Sequence, residues 1–485
     1  MQLLVGDVVR NAAAAVPSKV ACTHGDDAIT YRQLDDQSNR VAHALRGLGV
    51  GHGDRVAWWG DTSLRAMPLF AGVAKTGAVF APVNARLSAE EAAVVVGYAR
   101  PRLVIADDDH SPMTEGWDVP RRSHTELYRA AADARNDPAT TPELRETDPH
   151  VVFFTSGSTG RPKGVVLSHR ASVLRAFPGG ITGATTSMVC MFPLFHMAGW
   201  SMALNAWGAH RSVHYAPPEA EPLLRAVERH RATELYCIPA VWARVLDHGL
   251  GGFDVSSLRT ADTGTSATPP ELIERIRDAL PDTITRVWYG STEGGPGTKL
   301  LHEDLLRKPG SVGRPQPQVW LKLEPGPEGD EVCVRSAYLM DGYFEQPDAT
   351  AGALRDGWYH TGDLGVRDDV GFLSIVGRAR ELLRSGGETV APGEVEAVLA
   401  SHPAVAEVAV VGIPDPKWGD VVCAVVVARA GSAPLDLDAL RAHCDGRLAP
   451  FKQPRRLEEV PELPRTSATG QVQRTLLVER IVARG

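Results

Sequence analysis

The chain has 485 residues, 51 basic and 59 acidic, for a formal net charge of −8. One hydrophobic core rarely grows beyond ~250–300 residues, so at least two domains are expected. Hydrophobic residues at 43% and charged residues at 23% exclude disorder as a description of the whole chain, and the mildly acidic balance gives no reason to expect nucleic acid or a membrane surface as partner.

Taken in chain order, Thr30 and Gln33 have the spacing of a capping box ahead of Leu34, Val41, Leu45 and Leu48, which fall on one helix face. The apolar run Arg55–Trp59 reads as a strand, a helical pattern begins at Ser63, and Ala78–Val83 reads as a second strand. Ser88 and Glu91 repeat the capping box before another helix, and Leu103–Ala106 follows as a buried strand. This alternation predicts an α/β architecture with at least one largely parallel sheet. The polar, Pro-bearing stretch Asn136–His150 reads as a surface connection into the strand Val151–Phe154.

Nearer the C-terminus, Gly357–Gly387 is dense in Gly, Asp and Arg. Beyond it come a helix at Gly393–Leu399, strands at Val405–Gly412 and Val421–Ala428, and a helix at Leu435–Leu448. Such a segment suffices for a small independent domain, and the boundary is placed near Arg380, giving domains 1–379 and 380–485. The cysteines, Cys22, Cys190, Cys237, Cys333, Cys423 and Cys444, form no CxxC and no Cys/His pair at zinc spacing. They are expected to be reduced and mostly buried, as in a cytoplasmic protein. Asp7 and Arg10 interrupt any signal-peptide core, and no apolar stretch approaches the ~18 residues of a membrane span, so a soluble protein is expected.

The strongest local signal is Thr155-Ser-Gly-Ser-Thr-Gly-Arg-Pro-Lys-Gly164, directly after an apolar strand. Gly157, Gly160 and Gly164 allow a tight turn that brings N–H groups to an anion, while Ser156, Ser158, Thr159 and Lys163 add donors and a positive charge. The loop is built to grip phosphate. It is not a Walker A loop, because no Gly precedes Lys163 and no Ser or Thr follows it.

This segment resembles the nucleotide-binding signature of the adenylate-forming superfamily of acyl-CoA synthetases, adenylation domains and luciferases. The superfamily's other motifs follow in order: Pro193-Leu-Phe-His-Met-Ala-Gly199, Tyr289-Gly-Ser-Thr-Glu293, Tyr359-His-Thr-Gly-Asp-Leu364, Gly377-Arg378 and Pro464-Arg-Thr-Ser-Ala-Thr-Gly470. The resemblance implies an α/β fold, with a large N-terminal domain of β-sheets flanked by helices and a small mobile α+β C-terminal lid. It implies activation of a small-molecule acid with ATP and Mg2+ to an acyl-adenylate, release of pyrophosphate, and transfer to coenzyme A as acceptor.

The resemblance also distributes roles. Lys163 and the loop residues from Thr155 to Gly160 would hold phosphate, Thr292 the α-phosphate and Glu293 the Mg2+. Tyr289 and Gly290 would lie against adenine, with Gly264, Thr265 and Ser266 as a looser match to the segment on its other side. Asp363 and Arg378 would take the ribose. His196 would stand at the mouth of the acid pocket as a gate, since a carboxylate needs no base near pH 7. Trp200, Ile238, Val241, Gly264 and Gly290 would line that pocket, suiting a neutral or aromatic tail. Arg380 occupies the hinge position, and Gly386-Gly387 follow where relatives line a thiol tunnel.

One departure stands out. Superfamily members carry Lys after the Gly of the last motif, whereas Gly470 is followed by Gln471. A neutral amide cannot neutralise the phosphorus transition state, and losing one such contact costs ~3–4 kcal/mol. Lys452, Arg465 and Arg474 are near in sequence and offer substitutes. Three readings stay open: an engineered block, natural tolerance of Gln because the acid is small or unusually reactive, or a non-catalytic nucleotide-binding homologue. Within the superfamily, the alternative to transfer to coenzyme A is activation of a non-carboxylate oxyacid such as nitrite with an amine acceptor, as in ATP-dependent diazotases.

Overall fold

A computed structural model of the chain describes residues 2–155, 163–176, 186–327, 329–385, 388–415, 418–432, 434–466 and 470–484. Its contacts form two compact units. The larger comprises 1–303, 315–320 and 335–359, and the smaller comprises 304–314, 321–334 and 360–485.

Two sheets organise the larger unit. In the first, six strands run parallel in the spatial order Ile284–Ser291, Thr260–Gly264, Glu234–Tyr236, Ser187–Cys190, Ser212–Tyr215, Val20–His24. Antiparallel strands Gly295–Leu300 and Asp27–Thr30 flank this block. In the second sheet, Pro149–Thr155, Val79–Val83, Arg55–Trp59, Leu103–Ala106 and Arg121–Ser123 are parallel, and Lys163–Ser168 returns antiparallel beside Pro149–Thr155. The alternation expected of the sequence is therefore present, with buried parallel strands such as Val79–Val83 covered by helices.

Local chemistry sets several boundaries. Thr30 accepts from the Gln33 backbone while the Gln33 side chain returns to Thr30 N at 2.8 Å, and Ser88 with Glu91 does the same. A third box, Ser123 with Glu126, opens the helix His124–Ala132. The helix expected from Ser63 begins only at Ala66, because Ser63 and Leu64 first close a turn through their carbonyls. The connection into the strand Pro149–Thr155 is fastened to the body rather than lying loose on it: Ala139 and Leu144 are buried and Arg46 donates to Thr140 O at 2.7 Å. His150 is buried too, already inside the strand.

In the smaller unit, Val405–Asp415 and Gly419–Ala428 form a long antiparallel pair. Alternation sends Val410, Val422, Ala424 and Val426 to the face covered by the helices Pro392–Ala400 and Leu437–Cys444. Ala409, Val411, Ile413, Cys423 and Val425 face the helix Arg474–Val482. Leu437–Cys444 is shorter than the 435–448 expected. Asp436 caps its start, accepting from Ala439 N at 2.7 Å, and the extended Asp445 with Gly446 at φ +71° ends it. All six cysteines are buried and free, and no described helix is long and apolar enough to cross a membrane.

Candidate active site

The order of the parallel strands brings four sequence-distant segments side by side. Ser187–Cys190, Glu234–Tyr236, Thr260–Gly264 and Ile284–Ser291 are consecutive neighbours, so the segments leaving their carboxyl ends form one rim. Ligands of open α/β sheets bind at such rims. Here the rim carries His196, Ile238, Val241, Gly264, Thr265, Ser266, Tyr289, Gly290, Thr292 and Glu293.

His196 is the N-cap of the helix Met197–Gly208, where its Nδ1 accepts from Ala198 N at 3.2 Å. Burial pushes its pKa down to about 4, so the ring is neutral and carries its proton on Nε2. Phe192 stacks on His196 at 5.9 Å and lies 5.5 Å from the Tyr236 ring. Ile238 caps the helix Pro239–His248 and is buried, as is Val241 one turn on. Trp200 turns elsewhere: it is buried with its ring stacked on Phe70 at 3.9 Å and edge-on to Phe80, and its Nε1 has no hydrogen-bond partner among the described residues.

Two glycines are required by close backbone approach. Gly264 ends its strand at φ +149°, and a Cβ there would lie 2.1 Å from Trp288 O. A Cβ on Gly290 would lie 2.3 Å from Gly295 O, across the bulge that follows Tyr289. Thr265, at φ +71°, bonds back to Gly264 O, and Ser266 is exposed. The flat strand ends at Gly264 and Gly290 flank the half-buried Tyr289.

After the bulge, the turn into Gly295–Leu300 presents Thr292 and Glu293. Gly294 N donates to Ser291 Oγ at 2.9 Å, Met340 N donates to Glu293 O at 2.9 Å, and Tyr343 Oη donates to Glu293 Oε1 at 3.1 Å. Lys163 Nζ sits 4.8 Å from the centre of the Tyr343 ring, a cation–π contact. Lys163 begins the strand Lys163–Ser168 with Thr155 as its register partner. Ser156, Gly157, Ser158, Thr159 and Gly160 lie outside the described residues, as do Gly386 and Gly387. The Glu293 carboxylate is a hard oxygen donor of the kind Mg2+ accepts.

In the smaller unit, Asp363 and Arg378 are register partners on the strands Trp358–Arg367 and Leu373–Arg378, with Arg378 Nε donating to Asp363 Oδ1 at 2.8 Å. Arg380 falls in the short 3-10 turn Ala379–Glu381. Gln471 is held by its backbone: its N–H donates to Thr466 Oγ1 at 3.1 Å, and its carbonyl accepts from Thr466 N at 2.7 Å. The neighbouring cations are all paired. Lys452 bonds Glu394 at 2.7 Å, Arg465 bonds Glu407 at 2.7 Å, and Arg474 bonds Glu381 and Glu396 at 2.9 and 2.8 Å.

Tyr343 and Arg175 are absent from the sequence-derived site, yet both touch its turn. Arg175 is buried and bonded to Thr292 O and Glu293 O. Nothing local marks it, since an Arg in Ser168-His-Arg-Ala-Ser-Val-Leu-Arg175 reads as a solvent-facing helix residue.

A family model described as AMP-binding enzyme matches residues 9–344, and one described as AMP-binding enzyme C-terminal domain matches residues 394–469. The chain is 34% identical over 475 residues to a feruloyl-CoA synthase of Amycolatopsis sp, covering 94% of both chains. It is 33% identical over 504 residues to an indoleacetate–CoA ligase of Aromatoleum aromaticum, covering 97% of both. Among solved structures, it matches the anthranilate CoA ligase AuaEII in complex with anthranoyl-AMP at TM-score 0.91 and 26% identity, over 99% of this chain and 98% of that one.

Proposed function

The chain belongs to the adenylate-forming superfamily of AMP-binding enzymes, and from that membership we infer that it is an AMP-forming acid–coenzyme A ligase. In the first half-reaction a carboxylate oxygen attacks the α-phosphorus of ATP, and the bond to the bridging oxygen breaks to release pyrophosphate. In the second, the thiolate sulfur of coenzyme A attacks the acyl carbon and AMP leaves. Both are displacements in which the protein's contribution is positioning and charge stabilisation. The observation that carries this reading is the convergence of four parallel strand ends on one rim holding His196, Gly264, Gly290, Thr292 and Glu293.

Within that reading, Tyr289 stacks on adenine between the flat strand ends of Gly264 and Gly290. Lys163 and the loop before it hold the outer phosphates, and Thr292 donates to the α-phosphate. Asp363 accepts from the ribose hydroxyls beside Arg378. Mg2+, held by Glu293, would neutralise phosphate charge. Neutral His196 cannot act as a base on an acid that is already ionised, so its Nε2–H orients the carboxylate or gates the pocket. The acid is proposed to carry an aromatic tail. The apolar Phe192, Ile238 and Val241 support this, as do the aromatic acids in the relatives' names.

The domain boundary is proposed at 379/380, with Arg380 as the hinge that lets one lid serve both half-reactions in turn. Gln471 favours an adenylation step that runs without the usual lysine, because Lys452, Arg465 and Arg474 would each have to leave an ion pair to replace it. A pyrophosphate-release screen tests the whole reading. Aryl and fatty acids are offered with coenzyme A, and nitrite with an aryl amine serves as the competing arm. Turnover of an acid with AMP and thioester as products is expected. Turnover only in the nitrite arm would replace the ligase reading by the diazotase one.

A further inference from the structure

A buried cation lies beneath the turn that presents Thr292 and Glu293. Arg175, near the end of the helix His169–Ala176, is 2% exposed. Its Nε donates to Tyr338 O at 2.8 Å, its Nη1 to Thr292 O at 2.5 Å and its Nη2 to Glu293 O at 2.8 Å. No ion pair with a carboxylate is formed among the described contacts of this guanidinium; its partners are main-chain carbonyls. Holding a buried guanidinium through main-chain carbonyls is an unusual way to build a turn. Burial pulls its pKa down to about 10, while the negative charge of Glu293 acts in the opposite direction, and the group remains a cation at neutral pH. A Cβ on Gly295 would come within 3.2 Å of Arg175 Nε, so the far side of the turn is packed onto the same group.

Three donors in one rigid plane fix three carbonyls at once. Two belong to the residues proposed to meet the α-phosphate and Mg2+, and the third belongs to Tyr338, which itself donates to Pro296 O at 2.8 Å on the strand after the turn. With both carbonyls drawn towards Arg175, the two peptide planes lose their freedom to rotate, and the Cα–Cβ directions of Thr292 and Glu293 are set with them. We propose that Arg175 is a positioning residue for adenylation, aiming Thr292 and Glu293 at the α-phosphate and Mg2+ of bound ATP from beneath. The proposal rests on the ligase reading above. It adds a residue to that site and assigns it to the first half-reaction.

Arg175→Met keeps the bulk and loses all three bonds, whereas Arg175→Lys keeps the charge but cannot span three carbonyls. Each variant is measured for melting temperature, for calorimetric affinity of a non-hydrolysable ATP analogue with and without Mg2+, for pyrophosphate release, and for thioester formation from supplied acyl-adenylate. The expected pattern is a loss of about 10²-fold in pyrophosphate release in the Met variant, in line with a 1 Å misplacement. Thioester formation should change less than about threefold, and the gain in analogue affinity given by Mg2+ should shrink, with partial recovery of both losses in the Lys variant. A purely structural role would lower both half-reactions together with the melting temperature, and that result overturns the proposal, as does unchanged pyrophosphate release. Should the Met variant fail to fold, the Lys variant decides alone: adenylation equal to the parent's, with the parent's Mg2+ response, rejects it. A parent protein that turns over no acid removes the ligase reading and this inference with it, whereas parent turnover with indifferent variants removes only the inference.

Discussion

Gly290→Ala probes the turn with a single methyl group. That methyl would stand 2.3 Å from Gly295 O and 3.1 Å from both Gly295 C and Pro296 Cα. Carbon contacts are comfortable near ~3.5 Å, so the opposing backbone must withdraw by about 1 Å. No flexible side chain is available to yield, because every close atom is main chain. Overpacking of this kind costs about 1–3 kcal/mol, and each kcal/mol lowers the melting temperature of a large domain by ~2–4 °C. The functional loss should exceed the stability loss, since the displaced segment carries Thr292 and Glu293, and a 1 Å error at reacting groups costs about 10²-fold. Pyrophosphate release at saturating acid and MgATP is read beside a thermal melt. Gly97→Ala, in an exposed part of the helix Ala89–Ala99 with no atom within 4 Å of the new methyl, is the control and should leave turnover unchanged. Parental turnover in Gly290→Ala would refute the claim that this bulge sets the geometry of the phosphate site.

Gln471→Lys should raise pyrophosphate release by ~10²-fold while leaving thioester formation from supplied adenylate unchanged, and no rise would mean the acid needs no such charge. Asp363→Ala should weaken nucleotide binding, measured by calorimetry, by about 1.5–3 kcal/mol for each of the two charge-assisted ribose bonds lost; unchanged affinity would remove Asp363 from the site. His110 should make stability pH-dependent. Burial opposes its charge, but the hydrogen bond to Ala85 O and the bond and charge of Asp107 outweigh it and raise the pKa. Both ring nitrogens face acceptors, Nδ1 at 2.6 Å from Asp107 Oδ1 and Nε2 at 2.9 Å from Ala85 O, so the folded state prefers the doubly protonated ring. Its contribution is complete below the ordinary His pKa of about 6.5 and is lost as pH rises through the raised folded value. Parent melts across that window should fall more steeply than those of His110→Gln.

Much of the fold, and the family, was legible because their signals are local in sequence. The capping boxes at Thr30/Gln33 and Ser88/Glu91 depend on groups three residues apart, so the sequence by itself determines them. The same holds for the alternating apolar pattern of Val405–Asp415 and Gly419–Ala428, whose two buried faces the chain must then cover. The ordered motifs around Lys163, Thr292, Glu293 and Asp363 carried the family for the same reason, each being a compact run of residue types.

What the tertiary structure alone decided is which distant groups meet. Trp200 shares a helix with the site's His196, yet its indole faces Phe70 and Phe80, a choice made by the packing of another helix and another sheet. His110 is a charged staple only because Ala85 O and Asp107 converge on it. Arg175 looks like any surface arginine until residues 292, 293 and 338, more than a hundred positions later, bring their carbonyls to it. Main-chain carbonyls exist at every residue, so they leave no mark in sequence; only the fold determines which of them a buried cation will hold.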